Sequence, residues 1–198
     1  MRRKIASVAF VITITFACWA CGGRGATAVS NQQANSSAST IASGDLHFKA
    51  PDGWLAEQPS SRMRAAQYKL PKAEGDREDA SLVLYYFGPT QGGPAEANID
   101  RWISQIQQAD SSASKDKAKT ETITVNGLKV TTVDVSGTYT AEMTPGTGNQ
   151  RNDASYRLRG AVIETPKGNY FLKLVGPVKT MGRWEQSVTD FMKSFEFK

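Results

Sequence analysis

Histidine occurs once and cysteine twice in this chain of 198 residues, and those counts remove whole classes of chemistry. A lone His47 excludes a two-histidine zincin motif and every multi-histidine metal centre. Two cysteines, Cys18 and Cys21, exclude a disulfide-rich scaffold and any four-thiolate zinc or iron–sulfur site. No Gly-x-Ser-x-Gly elbow is present, so a hydrolase would have to be built around His47 alone. That residue reads as a strand-surface histidine between Leu46 and Phe48. The acidic run Glu74, Asp76, Glu78 and Asp79 lacks the EF-hand spacing and its terminal glutamate, and reads as a solvated loop. No catalytic constellation, no metal site and no cofactor motif is expected.

Acidic residues are missing from the first 44 positions, and this skews the net charge of +5. Four of the 24 basic residues, Arg2, Arg3, Lys4 and Arg24, precede Asp45, which leaves 20 against 19 acidic residues in the remainder. A nucleic-acid surface needs a basic stripe within the folded part itself, and a near-neutral domain does not supply one. Nucleic acid is therefore not an expected partner.

What is present begins with a leader. Met1–Lys4 is basic, and an apolar stretch follows from Ile5, shorter than the roughly 20 residues a spanning helix needs. Ala20-Cys21-Gly22-Gly23 then resembles the box at which bacterial lipoprotein signals are cut before a cysteine that receives a lipid. Cys21 is the expected acceptor, with Cys18 as the alternative; Trp19 is bulky for such a box. Ala26-Thr27-Ala28 offers an ordinary signal peptidase a cut that would release a soluble secreted protein, and an uncleaved anchor is the third possibility. In each case the domain works outside the cytoplasm. Residues 22–44 are rich in Gly, Ala, Ser, Asn and Gln, show no apolar period, and read as a flexible tether. The expected organisation is thus a signal over 1–21, a tether over 22–44 and one globular domain over 45–198.

That domain is 39% hydrophobic and 22% charged across the chain, a folded composition. At roughly 150 residues a domain buries about 70% of its unfolded-chain surface without needing a staple. Leu46–Ala50, Arg62–Leu70 and Ser81–Phe87 read as strands. Asn126-Gly127 between Glu121–Val125 and Leu128–Thr140 is the strongest hairpin signal, and Pro166-Lys167-Gly168 turns a second hairpin between Tyr156–Thr165 and Asn169–Val175. Ile99, Trp102, Ile103 and Ile106 predict a helix from about Pro94 to Ala109. Val178, Met181, Trp184, Val188, Phe191, Met192 and Phe195 predict another at the C-terminus. Strands with two one-faced helices predict an α+β fold, an antiparallel sheet of about six strands covered by helices.

The phrase Phe48-Lys-Ala-Pro51-Asp-Gly-Trp54, a strand-rich middle and a closing amphipathic helix resemble the PsbP-like α/β/α sandwich superfamily over residues 45–198. Gly88-Pro-Thr-Gln-Gly-Gly-Pro94 running into Asn98-Ile-Asp-Arg-Trp102 resembles a set of uncharacterised bacterial lipoproteins. The resemblance implies an accessory, binding or assembly role rather than catalysis, and fold alone does not fix function.

The glycine-rich loop feeds a helix N-terminus, which can present N–H groups to an anion, although the Gly-Lys-Ser/Thr ending of a phosphate loop is absent. Gly92 and Gly93 with Asn98 and Arg101 on the helix, joined by Arg62 and Arg64 on one face of a strand, form the expected partner or ligand surface. The alternative is a small-molecule pocket between sheet and helix lined by aromatics such as Tyr85, Tyr86, Trp102 and Trp184. The long connection Ala141–Asp153 reads either as a binding loop or as an extension of its hairpin. The expected function is a lipid-anchored, extracytoplasmic, non-enzymatic binding or assembly module with a protein partner.

Overall fold

Alternating apolar residues become sheet at each of the predicted places. The computed structural model describes residues 40–43, 45–141 and 151–198. The leader with both cysteines, most of the tether and residues 142–150 of the long connection lie outside the described residues. β1 (Thr40–Ser43), β2 (Leu46–Lys49), β3 (Leu55–Ala56), β4 (Arg64–Leu70) and β5 (Ala80–Tyr86) come first. α1 (Ala95–Ile103), β6 (Ile106–Gln107) and α2 (Ser114–Lys117) follow. β7 (Lys119–Val125), β8 (Leu128–Tyr139), β9 (Asp153–Glu164) and β10 (Tyr170–Pro177) form the main hairpins. α3 (Val178–Arg183), α4 (Glu185–Lys193) and β11 (Glu196–Phe197) close the chain.

The fold is α+β, as expected. One antiparallel sheet runs β3-β4-β5-β10-β9-β8-β6 with β7 paired to β8, and a small sheet joins β1, β2 and β11. The large sheet has eight strands rather than about six. Part of the excess, β3 and β6, is two residues per strand, too short for apolar alternation to register. Residues 40–43, expected in the tether, pair with β2 instead.

The Asn126-Gly127 turn is built as its sequence demands, with φ of +47° and +83° matching the left-handed pair that a two-residue hairpin prefers. Asn126 also donates from Nδ2 to the Phe195 carbonyl at 2.9 Å, which ties the hairpin to the end of α4.

Two expected helices come out differently. α1 ends at Ile103, and Ile106 is buried from a strand opposite Tyr139 of β8. The apolar spacing is satisfied either way, because both geometries turn Ile106 toward the same core. The C-terminal stretch breaks at Trp184 into α3 and α4, where the indole donates to the Pro71 carbonyl at 2.8 Å.

Both faces of the large sheet are apolar. One packs under α4 and β2, where Phe48, Trp54, Tyr68, Phe191 and Phe195 meet edge to face. The Phe48–Trp54 phrase is therefore a core device. On the opposite face α1 lies on β8 and β9. Its closest approach is at Gly160, where an added Cβ would sit 2.4 Å from the Trp102 ring. The stretch of this face formed by β4, β5 and β10 has no helix packed extensively on it among the described residues, although Phe171 and Tyr85 reach the α1 cluster.

Candidate functional site: an uncompensated lysine on the open half of the sheet

Strand β10 reads Tyr170-Phe-Leu-Lys-Leu-Val175, and its central position is a lysine flanked by buried residues. Alternation turns Lys173 to the α1 face, beside Phe171. Its ammonium donates to Gln105 Oε1 at 2.5 Å and to the Tyr139 hydroxyl at 3.0 Å. It makes no ion pair with a carboxylate among the described residues. Burial pushes its pKa down to about 8, and the Arg101 guanidinium pushes the same way.

Around it lies a cleft of about 320 Å³ lined by Arg64, Tyr85, Tyr139, Arg151 and Tyr156 together with Glu78, Asp79 and Ser81. Tyr139 and Tyr156 lie nearly parallel with ring centres 6.3 Å apart, and Arg151 stands over both rings. Arg151 also pairs with Asp153 and Glu78, and Tyr156 donates to Glu78. Burial alone would push Glu78 up, but the bonds from Tyr156 and Arg151 outweigh it and hold the carboxyl below its ordinary range. Burial, followed by the bond to Glu78, pushes the Tyr156 phenol upward. Arg151 is thus internally balanced, whereas Lys173 is not.

The structure sorts the six residues of the expected surface. Asn98 is 3% exposed: its Nδ2 donates to the carbonyls of Gly92 and Pro94 at 2.8 and 2.9 Å, and its Oδ1 accepts from Arg101 at 2.5 Å. It buckles the glycine loop to the helix and is not an exposed contact. Gly92 has φ of +90°, and an added Cβ would sit 2.4 Å from the Phe171 ring, so its lack of a side chain serves packing. Gly93 also has a left-handed φ, +77°. Arg62 sits in an exposed turn before β4, closed by Arg64 N–H to the Ser61 carbonyl, so it does not share a strand face with Arg64. Arg64 lines the cleft, donates to Gln67 at 2.7 Å and stands 5.7 Å from the Tyr85 ring centre. Arg101 is exposed and near enough to Lys173 to shift its proton equilibrium. Two of the six, Arg64 and Arg101, therefore flank the lysine.

Replacing Asn98 by alanine is expected to cost about 2 kcal/mol, because two backbone carbonyls of the loop lose their buried donor. Urea unfolding of the variant checks this, and an unchanged midpoint would contradict it.

The sequence reading missed Lys173, Tyr139, Arg151, Tyr156 and Glu78. A signal existed for the first, since a lysine within an otherwise apolar strand is rarely buried without a partner. The acidic run lies in a loop with Glu74 and Glu78 exposed, as expected, but three of its carboxylates hold partners. Besides Glu78, Asp76 accepts from Thr180 N–H and hydroxyl at 2.8 and 2.6 Å, and Asp79 accepts from Lys72 N–H at 2.9 Å.

A second recess of about 740 Å³ lies between α1, α2 and the threonines Thr120, Thr122 and Thr131. None of the expected aromatics lines it: Tyr85 faces the cleft, Tyr86 stacks on Tyr170, Trp102 covers Gly160 and Trp184 joins α3 to α4. Its lysines are already paired, Lys115 with Asp100 and Lys129 with Glu164, each at 2.9 Å. His47 stands in β2 in register with Ala42 and Glu196, and no described hydroxyl is hydrogen-bonded to it.

No protein-family model matches this chain, and no curated protein does. Among solved structures it is similar to a Pseudomonas aeruginosa protein of unknown function described as a candidate regulator. That likeness has 17% identity, covers 77% of this chain and 91% of that one, and has a TM-score of 0.43. It is also similar to the cyanobacterial PsbP of Synechocystis, with 12% identity, 90% and 98% coverage and a TM-score of 0.49. The strand order and register define the α+β sandwich independently of both.

Proposed function

We propose that the chain is a lipid-anchored, extracytoplasmic, non-enzymatic module that binds a protein partner through the open half of its sheet. The observation that carries the contact surface is Lys173, a half-buried ammonium without a counter-charge among the described residues, set among tyrosines and flanked by Arg64 and Arg101. Natural cores seldom keep such a group, because burying a charge without pairing it is costly. A position that bears this cost is a candidate for function. The anchor is supported by the basic start, the short apolar stretch and Ala20-Cys21-Gly22-Gly23, and the near-neutral domain gives no reason to invoke nucleic acid.

Two experiments test the two halves. Metabolic labelling with a palmitate analogue is expected to mark the chain, Cys21→Ser is expected to abolish the label, and Cys18→Ser is expected to leave it. Label retained in Cys21→Ser and lost in Cys18→Ser would move the acceptor to Cys18, and label in neither parent nor variant would remove the anchor. Crosslinking in native membranes followed by mass spectrometry is expected to return a reproducible stoichiometric partner.

A second reading, a small-molecule carrier, is favoured by the recess beneath α1, whose volume falls within the range of about 300–1,000 Å³ usual for ligand sites. A partner-free monomer in the crosslinking experiment would move the weight to that recess, with thermal-shift screening as the next step.

A further inference from the structure

We propose that the Lys173 cleft is a carboxylate-recognition subsite that seats an acidic side chain of a partner polypeptide. The inference rests on the reading of the open sheet half as the contact surface and names the chemistry it recognises.

An ammonium has three donors. Two of those on Lys173 are used by Gln105 and Tyr139, so one has no partner among the described residues. Among the described residues the Arg101 guanidinium bonds the neutral Asn98 amide, and that of Arg64 the neutral Gln67 amide. Lys173 and Arg64, with no carboxylate bonded to them among the described residues, thus line one recess, and Arg101 stands near enough to Lys173 to add to its positive potential. The anion they accept is singly charged, because Glu78, Asp79 and Asp153 stand in or beside the same cleft and repel a dianion such as phosphate. A polypeptide source fits better than a free acid. At about 320 Å³ the cleft is at the small end for an enclosed ligand, and exposed Ser81 of β5 lines it.

The groups facing Lys173 are Arg101 and Gln105 from α1 and the turn after it, Tyr139 from β8, Arg151 just before β9 and Tyr156 within it, with Asp153 held by Arg151. Tyr85 of β5, Arg64 of β4 and Glu78 with Asp79 ahead of β5 complete the ring. Burial moves Tyr139 and Tyr156 upward and Glu78 is held low, so Lys173 is the member brought into the mildly alkaline range. Binding therefore carries its signature: it is strong while Lys173 is charged and weakens as it deprotonates.

The test is calorimetric titration of the full chain in detergent micelles at low salt. The probes are a blocked pentapeptide alternating glutamate and valine, the same peptide with glutamine for glutamate, and free glutarate. Near pH 6.5 the acidic peptide is expected to bind at least about tenfold tighter than its glutamine counterpart, the worth of one charge-assisted hydrogen bond. The preference is expected to fall several-fold near pH 9.5 in the wild type, a result independent of any variant's folding, and to fall as much in Lys173→Met at pH 6.5, with the neighbouring arginines supplying what remains. Equal binding of the two peptides near pH 6.5 overturns the proposal, as does a preference undiminished at high pH or in Lys173→Met. Glutarate binding as tightly as the peptide overturns the polypeptide source. If the peptides are not distinguished while crosslinks still form from the open sheet half, this inference fails and the contact-surface reading stands. Loss of both removes both.

Discussion

Replacing Gly160 by alanine is expected to destabilise the domain by about 3 kcal/mol, the upper range for overpacking a well-filled core. The backbone at this position tolerates a side chain, so the cost is steric. The new Cβ would lie 2.4 and 2.5 Å from two atoms of the Trp102 ring and 3.1 Å from Val133 Cγ1. Trp102 is 4% exposed and is held by its neighbours Ile99 and Ile103 on α1, so the ring cannot swing aside. The helix must lift from β9, and with it go Arg101 and the Asn98 buckle. Urea unfolding reads the loss. In a cycle with Trp102→Leu, the two changes are expected to cost less together than their sum, since the smaller side chain makes room. A wild-type midpoint for Gly160→Ala would contradict the packing described.

Replacing Lys173 by methionine is expected to have the opposite sign and to stabilise the protein by about 2 kcal/mol near neutral pH. Depressing a lysine from 10.5 to about 8 corresponds to roughly 3 kcal/mol of penalty on the charged form, and the lost bonds to Gln105 and Tyr139 return part of it. The pH dependence follows from the direction of the shift. Between about pH 8 and the unfolded lysine value, the unfolded chain binds more protons than the folded one, so wild-type stability rises with pH. The methionine variant lacks that rise. Measurement belongs between about pH 7 and 9.5. Above that range the upward-shifted Tyr68, Tyr139 and Tyr156 act in reverse, because the unfolded tyrosines ionise first. A variant less stable than the wild type at neutral pH, with a flat wild-type profile, would show that Lys173 is an ordinary packing residue. A gain in stability with a loss of binding is what a functional position in a stable scaffold should show.

Local chemistry made the hairpins legible: Asn126-Gly127 admits few conformations, and strands β7 and β8 have no freedom to pair otherwise. The helix ends were not legible. Ile106 and Trp184 satisfy a helical spacing but take their positions from long-range partners, Tyr139 and the Pro71 carbonyl, which periodicity does not see. The candidate site shows the same division. Arg64 and Arg101 were visible as exposed charges on recognisable elements. Tyr139, Arg151 and Tyr156 belong to strand ends joined by Arg151 N–H to the Ala141 carbonyl, and Glu78 comes from a run that composition alone renders as solvent-facing. Their convergence on Lys173 depends on β10 lying between β5 and β9, which is a matter of strand order. Asn98 was misassigned because a polar residue beside an apolar stripe looks exposed. Its burial follows from the glycine loop folding back over the helix start.

The central claim is that the open half of the sheet, rather than the α4 face, meets the partner. Site-specific photocrosslinking in native membranes tests it, with the probe placed in turn at exposed Ser81 beside the cleft and at exposed Gln186 on α4. A discrete adduct from position 81, absent from position 186 and lost with Lys173→Met, is the predicted result. An adduct from position 186 with none from position 81 would contradict the account.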